Sequence, residues 1–168
     1  MRSTIKIVIL LFFICTSMSG ASFPDMEKYM RQHALIWEQL PMQWNEGAFL
    51  GNGLVGMMVY ADSTLNALVF HLGRPDVTDH RKAPYRKTSI GTEEADKMVD
   101  FCRLDVGKML LFPEGKILSG TFHLDIYNAE LTGHLKTDKG DLTFHAYTPQ
   151  PEEVNIVEVS SGVPYRWK

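Results

Sequence analysis

The densest group of side chains able to do chemistry lies between residues 74 and 81, where Arg74, Asp76, Asp79, His80 and Arg81 share one short stretch. Carboxylates beside an imidazole could ligate a divalent ion. Arginines beside carboxylates could instead hydrogen-bond sugar hydroxyls or charged substituents. Neither the spacing nor the number of ligands specifies a metal, so no metal site and no cofactor is assigned. The bland reading is a solvated, salt-bridged loop, because surface ion pairs are common and individually weak. The functional reading is ligand contact, and these five residues join Trp44 and Asn52 as the candidate substrate-contacting set.

Other motifs carry less. Gly51-Asn52-Gly53-Leu54-Val55-Gly56 matches the GxGxxG phosphate turn, but that turn needs a strand before it and a long helix after it whose N-terminus faces the anion. Residues 44–49 are not a clear buried strand, and Asp62 and Ser63 interrupt any helix early, so a glycine-rich bend leading into a strand is preferred. His71, His123, His134 and His145 fall in strand patterns and read as satisfied or solvent-facing sheet residues, not catalytic bases. Asp125 and Glu130 could be imagined as a glycosidase acid and base, and strand-face roles explain them better. Cys102, flanked by Phe101 and Leu104, reads as a buried thiol. No catalytic residue is assigned. Trp44, Tyr85 and Trp167 could act as aromatic sugar platforms, without any sign in their spacing of a shared face.

The elements that would position these residues are strands. Residues 54–60 and 65–72 are two apolar runs parted by a polar break. Residues 122–127, 129–137 and 142–147 alternate with period two, with turns at 113–116 and 138–140, and 154–159 resumes the pattern after Pro149 and Pro151. Residues 73–91 read as a long loop, and 92–101 as a short helical turn. In residues 22–40, Met26, Met30, His33, Trp37 and Leu40 share a helical face that Asp25 could cap, while residues 34–37 could form a short strand. The fold class predicted is all-β, an antiparallel sheet or sandwich. No convincing repeat is visible, and no closing element is visible after Val159.

Length and charge set the outer limits. The chain has 168 residues, a net charge of -3 and 45% hydrophobic residues, which supports a core and gives no electrostatic case for nucleic acid. Residues 1–20 have a basic start at Arg2 and Lys6, an apolar run over 7–14 and a small-residue exit, the order of a cleaved secretory signal, too short to span a bilayer. Cleavage there leaves roughly 148 residues, a periplasmic or extracellular location and no membrane span. The bulky Ile14 before Cys15 argues against lipidation, and with Cys15 removed, Cys102 has no intramolecular partner. Residues 21–40 form a lead segment and 41–168 the sandwich, which reads as the first part of a larger product because its strand edges want cover.

Trp44, the run Phe49-Leu50-Gly51-Asn52-Gly53-Leu54-Val55-Gly56-Met57-Met58-Val59-Tyr60 and the later Leu68-Val69-Phe70-His71-Leu72-Gly73-Arg74-Pro75-Asp76 resemble the N-terminal domain of bacterial glycoside hydrolases related to the family 95 alpha-L-fucosidases. Phe49 and Leu54 stand where that family has proline and arginine, and its asparagine-glutamate pair is not reproduced before Arg74. The resemblance is clearest over residues 34–76 and extends by strand pattern to Val159. It implies a supersandwich-like domain attached to an alpha/alpha barrel that supplies the acid and base, with oligosaccharide or glycoside reached through that barrel. Loop residues such as 74–81 would then at most shape the neighbouring cleft.

Overall fold

The computed structural model describes residues 25–78 and 104–168. Asp25 opens helix α1 (Met26–Arg31), its carboxylate accepting from the Lys28 amide at 3.2 Å, the N-cap arrangement that satisfies an orphan helical donor. The helix is followed by β1 (Leu35–Trp37) and a 3₁₀ turn at Trp44–Glu46. Four strands come next, β2 (Ala48–Gly51), β3 (Gly56–Asp62), β4 (Ala67–Gly73) and β5 (Gly107–Pro113). A second run comprises β6 (Ile117–Asp125), β7 (Glu130–Thr137), β8 (Asp141–Tyr147) and β9 (Ile156–Ser161), and β10 (Tyr165–Trp167) completes the set.

Among the described residues, the strand pairings are antiparallel and form two five-stranded sheets. Sheet A has the order β1-β6-β7-β8-β9 and sheet B the order β10-β5-β4-β3-β2. Two-residue alternation explains sheet A: Leu131, Gly133, Leu135 and Thr137 of β7 turn inward while Thr132, His134 and Lys136 turn to solvent. Phe122 and Leu124 of β6 and Leu142, Phe144 and Ala146 of β8 complete that inner face. Sheet B answers with Ala48, Leu50, Met57, Val59, Leu68, Phe70 and Leu111. The faces meet through Phe144, whose ring stands edge-on to Phe122 at 5.4 Å within its own sheet and to Phe70 at 5.6 Å in the other. Fully burying each large apolar side chain contributes about 1.5–3 kcal/mol, so this two-layer seam is the main source of cohesion. The predicted all-β sandwich is therefore what the chain forms.

Several local readings change. Residues 48–51 are a strand, so the glycine motif is the turn of the β2–β3 hairpin, with Gly51 opposite Gly56. The chain after those glycines continues as β3, which removes the dinucleotide geometry altogether. A closing element does follow Val159: β10 pairs with β5, Lys168 and Leu110 exchange two backbone hydrogen bonds of 2.9 Å, and Trp167 lies 5.7 Å from Phe70. Three residues behind Pro164 are too few to show a period, which is why the pattern hides them. The sandwich also takes in the end of the lead segment, since β1 pairs with β6. Asp79, His80, Arg81, Tyr85, Cys15, Cys102, the signal at 1–20 and the helical turn expected at 92–101 lie outside the described residues.

Candidate functional site

Asn52 sits in the β2–β3 turn, where Gly53 takes φ 90°, a left-handed conformation that favours glycine. Its Oδ1 accepts from the Leu54 and Val55 amides at 3.0 and 3.1 Å, while its Nδ2 donates to the Pro149 and Glu152 carbonyls at 2.8 and 2.7 Å. Gln150 Nε2 donates to the Asn52 carbonyl at 2.6 Å. Every polar atom of the Asn52 side chain is thus committed to tying the hairpin to the β8–β9 connection.

Arg74 reaches the same connection. Its Nε and Nη2 donate to the two Asp76 carboxylate oxygens at 2.8 and 2.9 Å, and its Nη1 donates to Glu153 at 2.5 Å. The hydrogen bond from Arg74 holds the Asp76 carboxyl below its usual value. The structure therefore brings Asn52, Arg74 and Asp76 to one end of the sandwich, beside a hollow of about 270 Å³ lined by Gly53, Gly56, Gly73 and Arg74. Trp44 is not with them. It precedes β2 while Asn52 follows it, so the strand separates the two. Trp44 is 62% exposed at the β2 side of sheet B, and Trp167 belongs to β10 at the opposite edge, so the two tryptophans share no platform.

A cavity of about 430 Å³ between Leu40, Met42, Asp62, Asn66 and Ile117 is an unpromising site, because its polar side chains serve turns. Asp62 accepts from the Thr64 and Leu65 amides, and Asn66 bonds the Gly115 carbonyl and the Ile117 amide.

The richest surface is the outer face of β6–β9, over a shallow hollow of about 490 Å³. Register sets its side chains in two rows: His123, Thr132, His145 and Glu158 in one, Thr121, His134, Thr143 and Ser160 in the next. Hydroxyl and imidazole alternate both along the strands and across them. The sequence does contain a signal for this arrangement: Thr-x-His occurs at 121–123, 132–134 and 143–145, eleven residues apart each time, with Phe122, Gly133 and Phe144 turned inward. The repeat corrects the expectation that none exists; period two within a single strand does not show it, because the unit emerges only when successive strands are compared.

His145 is held between carboxylates, Nδ1 at 3.1 Å from Glu158 and Nε2 at 3.3 Å from Glu130. The Glu158 hydrogen bond raises its pKa, burial opposes this, and Glu130 adds to the rise. Its ring fills the space between the two carboxylates, where an inverting glycosidase pair would hold water and sugar. Asp125, opposite Glu130 in the register, accepts from the Tyr127 and Asn128 amides and from Arg31 at 2.7 Å. Burial pushes its pKa up, but those bonds prevail and lower it. His71 likewise bonds Asp105 at 2.8 Å. These histidines are paired or solvent-facing sheet residues, and Asp125 and Glu130 are each engaged by other partners.

Raised in the folded protein, the His145 pKa contributes stability that is fully present below the ordinary value of 6.5 and is lost as pH rises through the folded value. Glu158→Gln removes the leading cause, so the imidazole titration followed by NMR should move down toward 6.5. An unchanged midpoint would show that the Glu158 contact does not exist in solution.

Among the described residues, no group of three or more His, Cys, Asp or Glu side chains could hold a metal ion, and no helix is long and apolar enough to cross a membrane. No protein-family model matches the chain, and no curated protein matches it significantly.

Proposed function

We propose that this chain is the sandwich portion of an exported carbohydrate-active hydrolase, supporting and shaping the cleft of a neighbouring catalytic barrel and carrying no acid–base pair of its own. The observation that supports this reading is the commitment of most of the carboxylates among the described residues. Asp76 and Glu153 are spent on Arg74, Asp105 on His71, Asp125 on a turn and Arg31, Glu114 on Lys139, and Glu130 and Glu158 on His145. A glycosidase needs one carboxyl free to donate a proton and a second facing it across the sugar. The end at Asn52 and Arg74, rigid and polar, is suited to abut another domain.

The test is turnover. The purified chain, given a panel of aryl glycosides, is expected to release no more phenol than an empty-vector preparation, and release clearly above that background would end the supporting role. A stand-alone carbohydrate-binding or surface adhesion module is the second reading, favoured by the polar outer face of β6–β9, which needs no neighbour in order to meet a ligand.

A further inference from the structure

We infer that the alternating threonine and histidine rows on the outer face of β6–β9 form a binding platform for a neutral polysaccharide laid across the strands. The choice of ligand class rests on the carbohydrate reading above, whereas the site itself rests on geometry.

His134 and His145 are paired with carboxylates, and the other groups of the platform remain available. Among the described residues, Thr121, His123 and Ser160 have no side-chain partner. Thr132 and Thr143 donate only long bonds of 3.4 Å to the backbone carbonyls of His123 and Ser160, leaving their lone pairs free. Both donors and acceptors are on offer, as a sugar hydroxyl requires. Repetition adds to this. The same Thr-x-His unit on three successive strands presents one hydroxyl and one imidazole per strand, and neighbouring strands lie roughly 4.8 Å apart. A pyranose ring is about that long, so a chain running perpendicular to the strands meets one hydroxyl and one imidazole at each step from β6 to β8, their order reversed from strand to strand. Tyr147, its ring 5.2 Å from His145 and tilted by 33°, provides an aromatic margin on which a sugar face can rest.

Other occupants fit worse. The carboxylates of Glu130, Glu158 and Asp141 border the face and repel phosphate or uronate polymers. The two rows carry no large aliphatic side chain of the kind that forms the centre of a protein interface. Their inward neighbours instead secure the platform: Gly133 accepts the Phe144 ring beneath the sheet, which fixes the backbone from which the outward groups project.

Affinity gel electrophoresis of the purified chain tests this, with soluble neutral glucan, galactomannan and fucosylated xyloglucan in separate gels and polygalacturonate as the acidic control. At least one neutral polymer should retard the chain. The double variant Thr132→Ala/Thr143→Ala should weaken that binding at least about tenfold, roughly 1.4 kcal/mol, with its thermal melting preserved because both sites are exposed. Leu65→Ala, exposed in the β3–β4 turn of the other sheet, should bind as the parent does. Absence of retardation by every neutral polymer, retardation by polygalacturonate alone, or undiminished binding by the double variant each overturns the platform. A zinc titration that registers binding abolished by His134→Ala, in a chain that ignores the polymers, reassigns the face to metal. Aryl-glycoside turnover by the chain would defeat the supporting role proposed above and leave this face standing, so the two failures are distinct.

Discussion

Gly133→Ala should destabilise the protein in the parent background and become neutral or stabilising once Phe144 is replaced by alanine. A methyl group at position 133 would overlap the Phe144 ring at Cε1 and Cζ, deep in sheet A. Overpacking of this kind costs about 1–3 kcal/mol. Phe144→Ala alone should be the most damaging single change, about 3–5 kcal/mol, because that ring touches Phe122 and Phe70 and so joins the two layers. In the double variant the alanine methyl enters space that the ring has vacated, and alanine in a strand has the advantage over glycine of roughly 0.5–1 kcal/mol in backbone entropy. The two costs should therefore fall short of additivity by more than about 0.5 kcal/mol. Urea denaturation of the four proteins in the cycle measures this, and strict additivity would mean that the ring and the glycine do not share the space assigned to them.

Asn52→Ala and Asn52→Asp should separate two functions of one side chain. Alanine removes both the acceptor that holds the Leu54 and Val55 amides and the donor that holds the Pro149 and Glu152 carbonyls. Four hydrogen bonds, two of them partly buried and two exposed, each with a net contribution of roughly 0.5–1.5 kcal/mol, imply a loss of about 2–6 kcal/mol. Aspartate keeps the acceptor and turns a carboxylate toward two carbonyl oxygens, so the hairpin turn should survive while the β8–β9 connection is released. Hydrogen exchange read by mass spectrometry distinguishes them. Residues 149–155 should lose protection in both variants, and residues 52–56 only in Asn52→Ala. Parental protection of 149–155 in Asn52→Asp would refute the latch.

Legibility followed the length of the pattern. β6, β7 and β8 each run seven residues or more with one face in the core, so alternation of Phe122, Leu124, Leu131, Leu135, Leu142 and Phe144 with polar neighbours identifies them without coordinates. β10 and β2 are too short for a period, and the glycines around β2 obscure it further. Arg74 and Asp76 are readable as charge partners because only Pro75 separates them, yet Glu153, far along the chain, is not. Asn52 was noticed for its place in a glycine motif, whereas its role depends on carbonyls about a hundred residues away. The polar face needed register: only antiparallel pairing sets His123 opposite Thr132 and Thr132 opposite His145, and no count of residues along a single strand can supply that.

The path of the chain between layers has a bearing on how the protein comes into being. Its first strand lies at the margin of sheet A, the next four build sheet B, four more return to sheet A, and the last crosses back to the far margin of sheet B. Neither layer is thus assembled from one continuous stretch, and each waits on a segment from the other end of the polypeptide. Long-range closure of this kind slows folding. During synthesis, sheet A lacks its last strand until residues 156–161 have left the ribosome and sheet B lacks its far margin until residues 165–167 have, so the two layers are finished one shortly after the other, late in the making of the polypeptide.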